Sequence, residues 1–175
     1  RVSESSAGAQ GNGASRLTTL PPGMSFNGRF VAFQSAASNL VSGDTNGRWD
    51  IFVHDRDQDG DGIFDEDSAT TVLISRSSSG VPANFDCLLP SISSDGRYVA
   101  WESESTTLEI PPPGGANTVL DVFRHDRDPD ANGIFDEGNG TTVQVSPYFW
   151  PPFNWVYPSR SASLSADGTR VAFTR

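Results

Sequence analysis

The strongest constraint on this chain is that it repeats itself. Ser25-Phe-Asn-Gly-Arg-Phe-Val-Ala-Phe, Ser93-Ser-Asp-Gly-Arg-Tyr-Val-Ala-Trp and Ser165-Ala-Asp-Gly-Thr-Arg-Val-Ala-Phe are one pattern met three times, with Asn27, Asp95 and Asp167 spaced 68 and 72 residues apart. A second element, Asp50-Ile-Phe-Val-His-Asp-Arg-Asp, returns 71 residues later as Asp121-Val-Phe-Arg-His-Asp-Arg-Asp. A third, Thr70-Thr-Val-Leu-Ile-Ser, returns as Thr141-Thr-Val-Gln-Val-Ser. Such a chain is a row of like units, each burying its faces against its neighbours.

Each unit reads as four strands. A weak first strand (Pro90-Ser-Ile-Ser in the second copy) runs into an Asn-Gly or Asp-Gly turn. Arg97-Tyr-Val-Ala-Trp-Glu-Ser, Asp121-Val-Phe-Arg-His-Asp and Thr142-Val-Gln-Val-Ser follow, rich in the β-branched and aromatic residues that suit a pleated surface. A hydrophobic fraction of 35%, with 17 Gly and 12 Pro, argues against a helical bundle. The expected fold is therefore all-β, and four antiparallel strands per unit make a propeller blade.

The same residues resemble the TolB-like, PD40 class of bacterial β-propeller repeats, in which Ser-x-Asp-Gly-Arg-x-Val-Ala-Phe is followed by an Asp-Ile/Val-Phe-Val-x-Asp strand. The resemblance implies a β-propeller fragment of four-stranded antiparallel blades. Residues 1–15 would be the end of one blade and its crossover, 16–79 and 80–148 two complete blades, and 149–175 the first half of another. These units of about 70 residues exceed the ~40 to 50 of such repeats because each carries an acidic insertion. A closed ring needs at least ~4 blades. The chain thus reads as an excerpt of a longer propeller, its partners being the remaining blades or, alternatively, further copies of itself.

Charge locates the chemistry. All 12 basic residues are arginine, and 12 of the 22 acids fall in residues 55–67 and 126–137, so these two segments carry the whole net charge of −10. That balance argues against a nucleic-acid partner. No apolar run reaches the ~18 residues of a membrane span.

Between the third and fourth strands the first unit reads Asp55-Arg-Asp-Gln-Asp-Gly-Asp-Gly-Ile-Phe-Asp-Glu and the second Asp126-Arg-Asp-Pro-Asp-Ala-Asn-Gly-Ile-Phe-Asp-Glu. Oxygens at alternate positions surround one point only if the chain then turns sharply, as calcium loops do at a glycine in position 6. The candidate ligands are Asp57, Asp59, Asp61, the Ile63 carbonyl and Asp65 in the first loop. Those of the second are Asp128, Asp130, Asn132, the Ile134 carbonyl and Asp136. Gly62 and Gly133 occupy position 6, and the apolar pair Ile63-Phe64 would anchor the loop to the blade edge.

Position 12, where a bidentate Glu belongs, holds Ser68 and Asn139, and Glu66 or Glu137 can supply the missing oxygen if the loop is tight. With no helix pattern beside them, the loops resemble those of thrombospondin type 3 repeats or dockerins rather than true EF-hands. The alternative is a solvated acidic hairpin tip that guards a sheet edge.

His54 and His125 repeat 71 residues apart, so they do not converge on one point and read as structural. Arg56 and Arg127, beside Asp55 and Asp126, read as loop tethers. Cys87 reads as a small semi-buried side chain. The aromatic stretch from Pro147 to Pro158 reads as a cover between blades, or alternatively as a carbohydrate or peptide surface, and Pro111-Pro-Pro-Gly-Gly as a stiff turn.

No nucleophile motif is present. The expected function is a non-catalytic, calcium-binding propeller module for binding or scaffolding, with a protein, peptide or glycan ligand, in a secreted, cell-surface or periplasmic bacterial protein. The alternatives are the accessory propeller of a larger peptidase or glycan-active enzyme whose catalytic residues lie elsewhere, and a periplasmic TolB-like interaction module.

Overall fold

Asp50-Ile-Phe-Val-His-Asp and its repeat become central strands because their large side chains fill both faces of sheets that are covered on both sides. The computed structural model of the protein describes residues 1–17, 23–65, 69–108, 119–146 and 158–175. β1 (Ser15–Arg16), β2 (Phe30–Ser35), β3 (Asp50–Asp55) and β4 (Thr70–Leu73) form one four-stranded antiparallel sheet in that order. β5 (Cys87–Ile92), β6 (Tyr98–Ser103), β7 (Asp121–Asp126) and β8 (Thr141–Gln144) form a second. β9 (Arg160–Leu164) and β10 (Val171–Thr174) form a hairpin that repeats β5 and β6. The described chain is thus all-β, has no helix, and closes no sheet on itself. The aromatic stretch at 147–157 and the Pro111 segment lie outside the described residues.

The register is the same in both sheets: Phe33 pairs with Phe52, and Trp101 with Phe123. Because side chains alternate across a strand, each sheet has two buried faces. Ala32, Ile51 and Val53 of the first share a core with Ile92, Val99 and Trp101 of the second. Ala100 and Val122, on the far face of the second, share another with Ala162 and Leu164 of the hairpin. The sheets therefore stack face to face in chain order. Cys87 lies wholly inside the first of these cores, deeper than expected, and burial pushes its thiol up to about 12, which leaves it inert as a nucleophile.

Contacts between sheets recur with the sequence repeat. The Phe26 N–H donates to the Ser94 carbonyl (2.9 Å), and the Ser94 N–H in turn to the Ala166 carbonyl (2.8 Å), so the turns are strung together. Each turn is built alike: Asp95 Oδ1 accepts the Arg97 N–H, Ser93 Oγ accepts the Tyr98 N–H, and Gly96 takes φ +83°. Gly96 lies flat against the Phe30 ring of the preceding sheet, and Gly168 against Tyr98. Gln34 Oε1 accepts the Leu89 N–H, and Glu102 Oε1, its repeat, accepts the Ser161 N–H. Both Leu89 and Ser161 have positive φ, where the first strand of each unit bulges.

The crossovers latch on in the same repeating way. Thr71 on β4 donates from Oγ1 to the Glu4 carbonyl, and its N–H binds Ser6 Oγ. Thr142 on β8 does the same with Arg76 and Ser78. Each outer strand is thereby covered by the segment entering its own unit, which protects an edge that would otherwise template further pairing.

Candidate metal centre

β3 ends at Asp55, whose carboxylate is gripped by Arg29, just before β2, through two hydrogen bonds of 2.8 Å. Asp55 Oδ1 also accepts the Asp57 N–H (3.1 Å), which turns the chain inward and leaves Asp57 only 5% exposed. The Asp57 carboxylate accepts the Gly62 N–H (3.2 Å), and the Gly60 N–H donates to the Asp57 carbonyl (3.2 Å). Gly60 and Gly62 adopt φ of +74° and +88°, so the loop coils within a few residues. Asp61 is oriented by accepting the Ile63 N–H (2.8 Å).

As a result, carboxylate oxygens of Asp57, Asp59 and Asp61 lie within 4.8 Å of one another. Oxygens that share one calcium at about 2.4 Å sit no more than about 5 Å apart. The three side chains thus fit a hard divalent cation, and without one they repel.

Asp65 stands differently. Arg56 holds it with two hydrogen bonds of 2.7 and 2.5 Å, and that pairing keeps its carboxyl below the usual range. The tether expected of Arg56 exists, but its partner is Asp65 rather than Asp55. Asp55 and Arg56 are sequence neighbours where the strand still alternates, so they point apart; Asp55 pairs with Phe30 in the ladder and its carboxylate is taken by the adjoining Arg29. The Ile63 side chain is 58% exposed and anchors nothing, contrary to expectation; Phe64 does so, its ring under the Arg56 guanidinium (4.8 Å).

The second loop repeats this frame. Arg97 grips Asp126, Asp126 Oδ1 accepts the Asp128 N–H, and Asp128 accepts the N–H groups of Asn132 and Gly133 at 3.0 Å. Asp136 is paired with Arg127 (2.5 Å), again not with the neighbouring Asp. Asn132 replaces the third carboxylate: its Oδ1 accepts the Ile134 N–H, and its amide nitrogen reaches Glu137 (2.8 Å) and Asp130 (3.3 Å). Glu137 therefore does come back to the loop, as a tight turn requires. Glu66, its counterpart, and Ser68 lie outside the described residues. The Arg29–Asp55 and Arg97–Asp126 pairs were legible only as recurring residues, yet they set where each loop begins.

His54 and His125 lie buried, each with Nδ1 against the hydroxyl of a latch threonine, Thr71 (2.9 Å) or Thr142 (2.8 Å). Since each hydroxyl donates onward to a carbonyl, Nδ1 carries the proton and Nε2 is a bare acceptor. Burial pushes His125 down to about 4 and lowers His54 as well. A histidine depressed in the folded state gives stability that is complete above about pH 6.5 and is lost as pH falls toward 4. Asp50, raised by burial to about 6, works in the opposite direction over about pH 6 to 4. Urea midpoints of the native protein and of His125→Gln, compared at pH 7 and pH 4.5, isolate the histidine. The native protein is expected to lose about 2 to 3 kcal/mol more than the variant, and equal losses would contradict the buried neutral imidazole.

Compared with protein-family models, curated proteins and solved structures, the chain finds no match.

Proposed function

We propose that this chain is a non-catalytic, calcium-binding β-propeller module that serves binding or scaffolding in a secreted or cell-surface bacterial protein. The observation that carries the reading is the first acidic loop, where three carboxylates converge at a spacing suited to one hard cation. Asp57, Asp59, Asp61 and the Ile63 carbonyl would hold calcium there; Asp65, engaged by Arg56, would act through a water or by positioning the loop. Asp128, Asp130, Asn132 and Glu137, with the Ile134 carbonyl, would form a second, weaker site with one fewer carboxylate at the alternating positions. Bound calcium would supply charge neutralisation and would fix each loop at the rim of its sheet.

The propeller reading is supported by the stacking of successive sheets through recurring contacts, and by the resemblance of the repeats to the TolB-like class. An extracellular setting is preferred because calcium there saturates even sites of ~10⁻⁴ to 10⁻³ M.

The test is thermal unfolding of chelator-stripped protein with and without calcium, in the native sequence and in Asp57→Ala/Asp59→Ala. Calcium should raise the native midpoint, as a ligand that prefers the folded state must. The double variant should keep only the contribution of the second loop. An equal calcium response in both proteins would defeat the assignment.

A further inference from the structure

Asn132 is followed by Gly133, and a glycine nitrogen can approach the preceding side-chain amide with no Cβ in the way. Three groups of the second acidic loop are set around that approach. The Gly133 N–H donates to Asp128 Oδ2 (3.0 Å), so the nitrogen that would attack already has a carboxylate on its proton. The Ile134 N–H donates to Asn132 Oδ1 (2.7 Å). That bond folds the side chain forward along the chain and puts a donor on the oxygen that gains negative charge when the amide carbon is attacked. The Asn132 amide nitrogen, the group that would leave, is held by Glu137 (2.8 Å), and the residue is exposed, so water can enter and ammonia can depart.

Asn-Gly occurs elsewhere in the chain without this full set. Asn27 and Asn46 make the same forward turn, their Oδ1 atoms accepting the N–H groups of Arg29 (3.1 Å) and Arg48 (2.9 Å). The Gly28 N–H, however, donates to the Ser25 carbonyl (3.0 Å), a far weaker base than a carboxylate, and no carboxylate accepts the Gly47 N–H among the described residues. Asn12 is turned away, with its amide oxygen and nitrogen both bound to Ser38. In the first acidic loop the same frame already holds an acid: Asp61 accepts the Ile63 N–H while Asp57 accepts the Gly62 N–H.

We propose that Asn132 is a self-modification site, at which the second loop deamidates its own side chain. The Gly133 nitrogen bonds to Asn132 Cγ as its proton passes to Asp128, and the Ile134 N–H stabilises the oxyanion that forms. The proton then moves to the amide nitrogen, whose growing positive charge Glu137 favours. The Cγ–Nδ2 bond breaks, and ammonia leaves a succinimide ring. Water opens that ring to aspartate or isoaspartate, so the net change is water consumed and ammonia released, with no oxidation or reduction. The aspartate product gives position 132 the carboxylate that Asp61 holds in the first loop. The modification does not depend on the loops binding calcium.

Peptide mapping by mass spectrometry tests this on chelator-stripped protein incubated at neutral pH, either folded or in urea. Fragmentation separates Asn132 from Asn139, which share one arginine-bounded peptide. Asn132 should deamidate at least about tenfold faster in the folded protein than in urea, and faster by a similar margin than Asn27 or Asn46 in the same sample. Asp128→Asn should bring the folded rate down to the urea rate with unchanged circular dichroism, and Glu137→Gln should slow it. The folded-against-urea comparison needs no variant. Deamidation of Asn132 that is no faster folded than unfolded, or that is unchanged in both variants, would overturn the proposal and leave Asn132 an ordinary loop residue.

Discussion

Gly96→Ala is expected to destabilise the protein by about 3 to 5 kcal/mol, a large part of the ~5 to 15 kcal/mol that holds a typical domain folded. Two costs combine. Gly96 has φ +83°, where an alanine Cβ crowds its own carbonyl at about 1 to 2 kcal/mol. That Cβ would also meet Phe30 Cδ2 at 2.1 Å, inside any real contact distance. The ring cannot yield cheaply, because Arg127 lies over it at 4.6 Å and Phe135 packs against it at 5.2 Å. Gly28→Ala provides the control. Its φ is +79°, but the nearest atom to an added Cβ is 3.7 Å away, so only the conformational cost of about 1 to 2 kcal/mol applies. Urea denaturation of both variants checks the difference, and equal losses would show that the sheets do not stack as described.

Arg127→Ala should cost about 3 to 5 kcal/mol, whereas Arg56→Ala, at the same place in the first repeat, should cost about 1 kcal/mol or less. Burial makes the difference. The Arg127 and Asp136 side chains are 1% and 11% exposed, against 24% and 39% for Arg56 and Asp65. Arg127 also lies over both the Phe30 and Phe135 rings and donates to the Gly96 carbonyl (2.7 Å). Its removal strands a mostly buried carboxylate, orphans that carbonyl and opens a gap between two sheets. Removal of Arg56 frees an exposed carboxylate that water can solvate. Chemical denaturation at pH 7 measures both, and comparable losses would contradict the burial argument.

Most of the strand framework could be read from the chain because the repeat supplied each element at least twice. Tyr98–Ser103 and Asp121–Asp126 fall where alternation and β-branching place them. The first strand of each unit was weak in sequence for a physical reason: it bulges at Leu89 and Ser161, where an amide leaves its own ladder for a side chain of the preceding sheet. Such a partner lies 55 or 59 residues away and leaves no local signature.

In the acidic loops, spacing alone found the residues that converge, Asp57, Asp59 and Asp61, because position 6 glycines force the coil. It found the loop-tethering arginines but not their partners, since Arg56 and Arg127 reach nine residues forward over the loop. Ile63 also failed as an anchor. Its side chain turns to solvent, whereas Phe64 and Phe135 turn toward arginine.

A calorimetric calcium titration of the chelator-stripped protein tests calcium binding by the acidic loops directly. About two ions should bind, the tighter one disappearing in Asp57→Ala/Asp59→Ala. No binding heat at millimolar calcium, with no change in the unfolding midpoint, would contradict the account and leave the acidic loops as solvated hairpin tips.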